Sequence, residues 1–393
     1  MNRGHVLRAE VGQEQPFEVS GNFALKGHSC CRPVTVRRQN GGWAVVQRRR
    51  PSTSSARDKM RRFIVWLCAM VASTAFAQAL PAWRTSTPEE QRLDAAAFKN
   101  LDKDIEQELG DVQSLVVVLQ GRTVYEYYRD GDPNALRDTQ SVTKSALALL
   151  VGTALKRGQL SSLELPVVEL MPEWRALNSD PRAQSITLRH LMAMTAGFAV
   201  DDRSGTAAPL TPTSAWARSI QTEPGQRFAY DNSGPPMVRA VLERVTGRPM
   251  ADLVREQLVT PLEMRQPAYS RDGIASMRTV DMAKLGHLML LDGTWAGAPL
   301  LPPGFVAQMV KPQSSGGPPA HLPYGLFWWV PSGSTFFASG YAGQLIWVHS
   351  PLGLVVAVTS TISPDSAHRG QALRLARGPV FQAAQRRLAL PPK

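Results

Sequence analysis

The sequence predicts an α/β fold of the α+β, two-lobe kind, with one antiparallel sheet drawn from both ends of the chain, flanked by helices, and a mostly helical lobe inserted between. Three observations predict it. Apolar, β-branched runs stand at Ser114–Leu119 and again through the last quarter, while the stretch from Ser141 to about Met309 has helical spacing broken by Pro and Gly loops. Strands at two ends are most simply joined in one sheet, with the middle as an insertion. The 393 residues, 43% hydrophobic and 19% charged, suffice for one large or two ordinary globular domains, which excludes disorder throughout. The expected lobes are 78–140 with 305–393, and 141–304; the cleft between them is the default site.

The chain opens with a segment that reads as targeting. Met60-Arg61-Arg62 precedes an apolar run from Phe63 to Thr74 and then Ala75-Phe76-Ala77, the pattern of a secretory signal peptide over 60–77. Phe63 to Ala77 is shorter than the roughly 20 residues a transmembrane helix needs. Cys68 lacks the small residue expected before a lipidated cysteine, so no stable membrane anchor is expected after cleavage. Residues 1–59 show no sustained periodicity and read as a non-native or disordered extension, with a long cytoplasmic tail as the alternative. A periplasmic or secreted protein follows. Cys30, Cys31 and Cys68 all precede Ala77, so the mature part has no cysteine for a disulfide or a metal.

The net charge of +12 would ordinarily raise the question of nucleic acid. Residues 1–77 hold 13 of the 44 basic and 4 of the 32 acidic residues, which leaves 31 against 28 beyond them. No nucleic-acid partner is expected from so even a balance.

Further along, Thr87-Pro88-Glu89-Glu90 reads as a capped helix start, and Leu93, Ala97, Phe98, Leu101 and Ile105 then make one apolar face. Ser114–Leu119, the turn Gln120-Gly121-Arg122 and Thr123–Tyr128 read as a hairpin. The late strands are Gly325–Val330, Thr335–Ala338, Gln344–Val348 and Leu354–Thr359, followed by a helix from about Gly370 to Arg387.

The candidate chemistry begins at Ser141 and Lys144. Three residues apart at a helix start, they share a face, so an amine can sit beside the hydroxyl while the helix N-terminus supplies positive potential. Alone, Ser-x-x-Lys occurs often by chance and reads as a solvated helix start. Two further segments change that reading: Tyr230-Asp231-Asn232 in a Pro/Gly loop before another helix, and the small-residue strand Ala338-Ser339-Gly340 ahead of Tyr341, where backbone can approach a substrate closely.

With these motifs in this order, the chain resembles the serine β-lactamase and penicillin-binding-protein superfamily, in its class C β-lactamase-related branch of esterases and 6-aminohexanoate-dimer hydrolases. Ile186–Gly197, Asp281–Gly286 and Gly293–Gly297 support the likeness, which runs from about Ser114 to Thr359. The resemblance implies a β-lactamase/transpeptidase-like fold and an acyl-enzyme on Ser141. It implies Lys144 as proton acceptor or electrostatic partner, Tyr230 as the acid/base serving the leaving group, and Asn232 as an orienter of substrate or Lys144. It also implies an oxyanion hole of the Ser141 and Tyr341 N–H groups, with Ser339 and Gly340 along the substrate.

One departure bears on substrate. Ala338 stands where the lactamases carry the lysine of Lys-Thr-Gly, so the cation that would hold a β-lactam carboxylate is missing, and uncharged small-molecule esters or amides are expected instead. A weak β-lactamase or D-Ala-D-Ala peptidase, or an inactive binder of cell-wall fragments on the same scaffold, are the alternatives. Tyr324, Trp328, Trp329, Phe336 and Phe337 flank the motif and read as core ahead of an acyl pocket. No Glu-x-x-Leu-Asn follows the Tyr-x-Asn loop, and Glu164 and Glu169 precede it as surface residues. No Gly-x-Ser-x-Gly elbow, His-Glu-x-x-His pair, phosphate loop or dinucleotide fingerprint is present, so neither a metal nor a cofactor is expected. His190 reads as structural, and His368 as a loop residue that could reach the cleft.

Overall fold

The computed structural model describes residues 35–37, 43–45, 83–200, 210–363 and 370–388. The chain divides into two units, Met1–Ala77 and Gln78–Lys393. In the first, Thr35–Arg37 pairs antiparallel with Trp43–Val45. The signal peptide expected at 60–77, the three cysteines and His368 lie outside the described residues. No helix among the described residues is long and apolar enough to cross a membrane.

The second unit is built on a nine-stranded sheet. In chain order its strands are β1 (Arg84–Thr85), β2 (Val112–Leu119), β3 (Arg122–Tyr128), β4 (Ser314–Gly317), β5 (Leu322–Tyr324), β6 (Trp329–Ser332), β7 (Thr335–Gly340), β8 (Gln344–His349) and β9 (Leu354–Ser360). Their spatial order is β4-β5-β6-β7-β8-β9-β2-β3-β1. All pairs are antiparallel except β3 with β1. The two ends of the chain meet where β9 lies beside β2, with Val356 opposite Val117 and Ala357 opposite Val116. Both strands are buried on both faces apart from Gln113, which accounts for their uninterrupted apolar runs. The β2–β3 hairpin turns on Gln120 (φ +49°) and Gly121 (φ +75°), the two left-handed positions that a tight hairpin needs.

Side chains alternate across β8. Ile346 and Val348 face helix α3 (Thr279–Leu290), where a Cβ on Gly286 would stand 2.8 and 3.4 Å from them. Trp347 and His349 face the C-terminal helix Phe381–Leu388 through the Phe381 ring. Helix α1 (Val142–Lys156), which begins at Ser141, is buried on nearly every side, as expected of a helix apolar all round.

Three elements differ from the sequence expectation. The capping pair at Thr87 and Glu90 forms, with each side chain accepting from the other's N–H. Arg92 then takes φ +60°, ending that turn, and helix restarts at Ala95–Lys99 under the Asp94 cap and again at Leu101–Glu108. Gly325–Trp328 is a loop rather than strand, because Phe327 is left-handed and Gly325 packs against the Met309 carbonyl. The last helix is broken at Gly378-Pro379, where proline supplies no N–H.

His287 clips α3 to the hairpin turn. Its ring meets Trp83 and Trp295 edge-on at 5.4 and 5.8 Å, and a Cβ on Gly121 would lie 3.2 Å from it. Its Nδ1 has no hydrogen-bond partner among the described residues, and burial pushes its pKa down to about 4. The unfolded chain therefore binds this proton more tightly, so stability holds above about pH 6.5 and falls as pH drops from there towards 4. At about 1.4 kcal/mol per pKa unit the full loss is on the order of 3 kcal/mol. Urea melts of the wild type and His287→Leu at pH 7.5, 5.5 and 4.5 check it: the variant should lose correspondingly less stability across that interval.

Candidate active site

The turn that presents Ser141 is held from three sides. Asp138 accepts from the Gln140 N–H at 2.8 Å and from its amide side chain at 3.1 Å, stabilising Gln140 in a left-handed conformation at φ +49° that costs a non-glycine residue about 1–2 kcal/mol. The Thr139 N–H and hydroxyl both donate to the Ala275 carbonyl, at 2.9 and 2.8 Å, and the Ala275 N–H donates back to Thr143 Oγ1 at 2.9 Å. Ser145 Oγ donates to the Phe327 carbonyl at 2.6 Å. Ser141 then stands as the N-cap of α1, already helical at φ −68° and ψ −6°, and its own N–H has no hydrogen-bond partner among the described residues. A backbone donor at a helix N-terminus is thus available at the candidate nucleophile.

Lys144 Nζ donates to Ser141 Oγ at 2.7 Å. The lysine is 9% exposed, and no carboxylate lies within 4 Å of it among the described residues. The same Nζ stands 5.2 Å from the centre of the Tyr230 ring. Tyr230 stacks on Trp329 with the ring planes 7° apart and meets Tyr324 edge-on. Burial, with the adjacent Tyr230, pushes the Tyr324 hydroxyl well above the ordinary phenol range, so Tyr324 is a neutral wall.

The loop that carries Tyr230 is anchored on both sides of it. The Ala229 N–H donates to the Met194 carbonyl at 2.8 Å and the Asp231 N–H to Met194 Sδ at 3.4 Å. Asp231 accepts from the Ser233 N–H and hydroxyl and pairs with Arg218 at 2.6 Å, both members mostly buried. Asn232, by contrast, is exposed at the rim of the cavity and makes no hydrogen bond to Lys144. Arg218 and Asp231 were not singled out from sequence; the acid inside Tyr-x-Asn, facing the isolated Arg of Trp216-Ala217-Arg218, was the available signal.

On the opposite side, β7 runs directly against the Ser141 turn. A Cβ on Gly340 would stand 2.6 Å from the Thr139 carbonyl oxygen and 2.8 Å from Gln140 Cβ, so only glycine permits this approach. Ser339, Gly340 and Tyr341 line the cavity. The turn after β7 is fastened by the buried Gln344, which donates to the Tyr341 and Ser360 carbonyls at 3.3 and 2.8 Å. Ala338 is 1% exposed and does not line the cavity, so a lysine there would have to be buried rather than presented to substrate.

These residues surround a cavity of about 750 Å³, within the range of small-molecule sites. Of the flanking aromatics, Trp329 lines it, while Tyr324, Trp328, Phe336 and Phe337 are core. The apolar wall comes instead from Leu147 and Leu150 of α1 and from Met250, Val254, Leu258 and Met277 of the helical lobe. Glu164 and Glu169 are exposed, the former paired with Arg189. His190 closes the cap of Leu188–Met192 by accepting from the Thr187 N–H at 3.2 Å. Among the described residues no group of three His, Cys, Asp or Glu side chains could hold a metal ion.

Residues 101–378 match the family model described as Beta-lactamase. The chain belongs to the Beta-lactamase family. As a member it is a serine hydrolase on a β-lactamase-like scaffold. Esterase EstB of Burkholderia gladioli is 31% identical over 159 residues, 33% of this chain and 37% of that protein, so the match spans little more than a third of that relative. The solved structure titled "Putative 6-aminohexanoate-dimer hydrolase from Bacillus anthracis" superposes with a TM-score of 0.62 at 18% identity, over 74% of this chain and 83% of the other. A penicillin-binding-protein homologue from Caulobacter crescentus does so with a TM-score of 0.57 at 16% identity, over 72% and 97%. These two show the shared fold.

Gly340→Ala should separate β7 from the Ser141 turn. It is expected to cost about 1–3 kcal/mol of stability through overpacking. Displacing the turn by about 1 Å should slow labelling of Ser141 by a fluorophosphonate ten- to a hundredfold. Thermal melting and labelling rates of the purified variant read the two effects separately.

Proposed function

We propose that the protein is an exported hydrolase of small carboxylic esters or amides that acylates Ser141 and deacylates with water, without a cofactor. The observation that carries the reading is the 2.7 Å contact between Lys144 Nζ and Ser141 Oγ, with the Tyr230 ring 5.2 Å from the same nitrogen, on the wall of the cavity. Esterase EstB is a relative in the same family. Export rests on the pattern at 60–77.

In the acylation step the Lys144 amine accepts the Ser141 proton as Oγ bonds to the substrate carbonyl carbon. The electron pair moves onto the carbonyl oxygen, towards the Ser141 and Tyr341 N–H groups. Tyr230 gives its proton to the departing alcohol or amine as the carbon–oxygen or carbon–nitrogen bond breaks, and is reprotonated from Lys144. Water then attacks the acyl-enzyme, passing its proton to the same pair, and Ser141 leaves with a proton restored. An inactive binding protein would have no use for Ser141, Lys144 and Tyr230 packed together.

Ser141→Ala should abolish fluorophosphonate labelling and turnover of 4-nitrophenyl butyrate. Lys144→Ala and Tyr230→Phe should each slow acylation by about a hundredfold or more, and the double variant by much less than the product, because the groups act as a unit. Stopped-flow measurement of the nitrophenolate burst checks this; near-normal acylation in Lys144→Ala would remove the lysine from the base role.

A further inference from the structure

Arg239 lies on helix α2 (Gly234–Thr246), which follows the Tyr230 loop, on the face that also turns Pro235 and Pro236 to the cavity. It is half-buried, and no carboxylate stands within 4 Å of it among the described residues. The formal charges on the cavity wall are those of Lys144, Arg239 and Asp272. Lys144 is engaged with Ser141, and Asp272 is exposed.

The guanidinium lies against the backbone opposite. Gly273, at φ +78°, sits in a turn closed by hydrogen bonds of 2.9 Å between Ser270 and Gly273 and between Ser270 and Ile274. Any Cβ on Gly273 would collide with Arg239 Nη1, so the glycine leaves the room this arginine fills. Two residues on, Ala275 is bound to Thr139 and Thr143 beside the nucleophile, which ties the turn under Arg239 to the Ser141 turn. Tyr269, itself exposed, lines the same end of the cavity, near enough for Arg239 to act on its phenol group.

We propose that Arg239, with Tyr269 beside it, forms an anion subsite that takes a carboxylate carried by the substrate at a distance from the scissile carbonyl. The subsite rests on the hydrolase reading above for its substrate, but not for its binding. A guanidinium presents paired donors that suit a carboxylate, in a cavity where partial exclusion of water strengthens the bond. The cation that Ala338 does not supply at the third motif is therefore supplied from another wall, and substrates acidic at one end, rather than uncharged ones, become the favoured class. Asp272 next to Gly273 opposes the effect.

The experiment compares 4-nitrophenyl monoesters of glutaric, adipic and suberic acids with 4-nitrophenyl butyrate and octanoate. A second pair, the butyrate esters of 4-hydroxybenzoic acid and of phenol, places the carboxylate on the alcohol side. In Arg239→Gln the ratio of kcat/KM for charged over neutral ester should fall about tenfold or more in one of the two series, through KM rather than kcat, and Arg239→Lys should restore part of it. Asp272→Asn should raise the same ratio. Binding of monobenzyl glutarate to Ser141→Ala protein, with and without Arg239→Gln, is read by calorimetry and does not depend on turnover. Ratios unchanged in both series, or equal affinities in that pair of variants, would overturn the proposal. Arg239-dependent binding without hydrolysis of any ester by the wild type would instead uphold the subsite and overturn the hydrolase reading.

Discussion

The structure depends on one point where two backbones touch with no side chain between them. Strand β7 reaches the turn ahead of Ser141 only because Gly340 adds nothing to the gap, and the turn is there to be reached because Asp138 holds Gln140 left-handed. That contact joins the sheet to α1. It also sets the Ser141 turn beside the end of β7 that leads into Tyr341, and both line the cavity. Were either element to withdraw by about an ångström, the serine would remain beside its lysine but the cavity wall facing it would shift.

Around this contact each lobe contributes a different kind of support. The sheet side is rigid: Gln344, fully buried, ties the turn after β7 to Ser360, and Trp329 and Tyr324 back the Tyr230 ring. The helical side is fastened by polar links of longer reach, the Arg218–Asp231 pair for the Tyr230 loop and the Thr139–Ala275–Thr143 triangle for the nucleophile turn. Breaking a mostly buried ion pair strands a charge, so the loop's position is coupled to the pair's integrity. The inner wall of leucine, methionine and valine is the part of the cavity with no polar obligation, and it belongs to the core that seats α1.

What the sequence discloses follows from how local each signal is. The hairpin at Gln120-Gly121 and the apolar runs of β2 and β9 are local, and the serine and lysine three apart on a helix are brought together by helix geometry alone. Phe336 and Phe337, adjacent on β7, are both core because the sheet there is covered on both faces. Non-local signals were not legible. Arg218 and Asp231 are thirteen residues apart, Arg239 meets Gly273 across a loop, and nothing in Ala338-Ser339-Gly340 says which residue turns inward. Single residues such as Arg92 and Phe327 ended elements that periodicity would have continued, because one left-handed backbone outweighs the pattern around it.

The pairing of β2 with β9 has a consequence beyond the static fold. Val117 and Val356 are neighbours in space with most of the chain between them, so the centre of the sheet forms between segments made early and late in synthesis. Until β9 emerges, β2 presents an edge of unpaired backbone in one of the most apolar runs of the molecule. Closing so long a loop is slow, and an open apolar edge invites pairing with other chains in the meantime. Efficient folding of this protein therefore depends on keeping β2 apart from other strands until the last quarter of the chain is available.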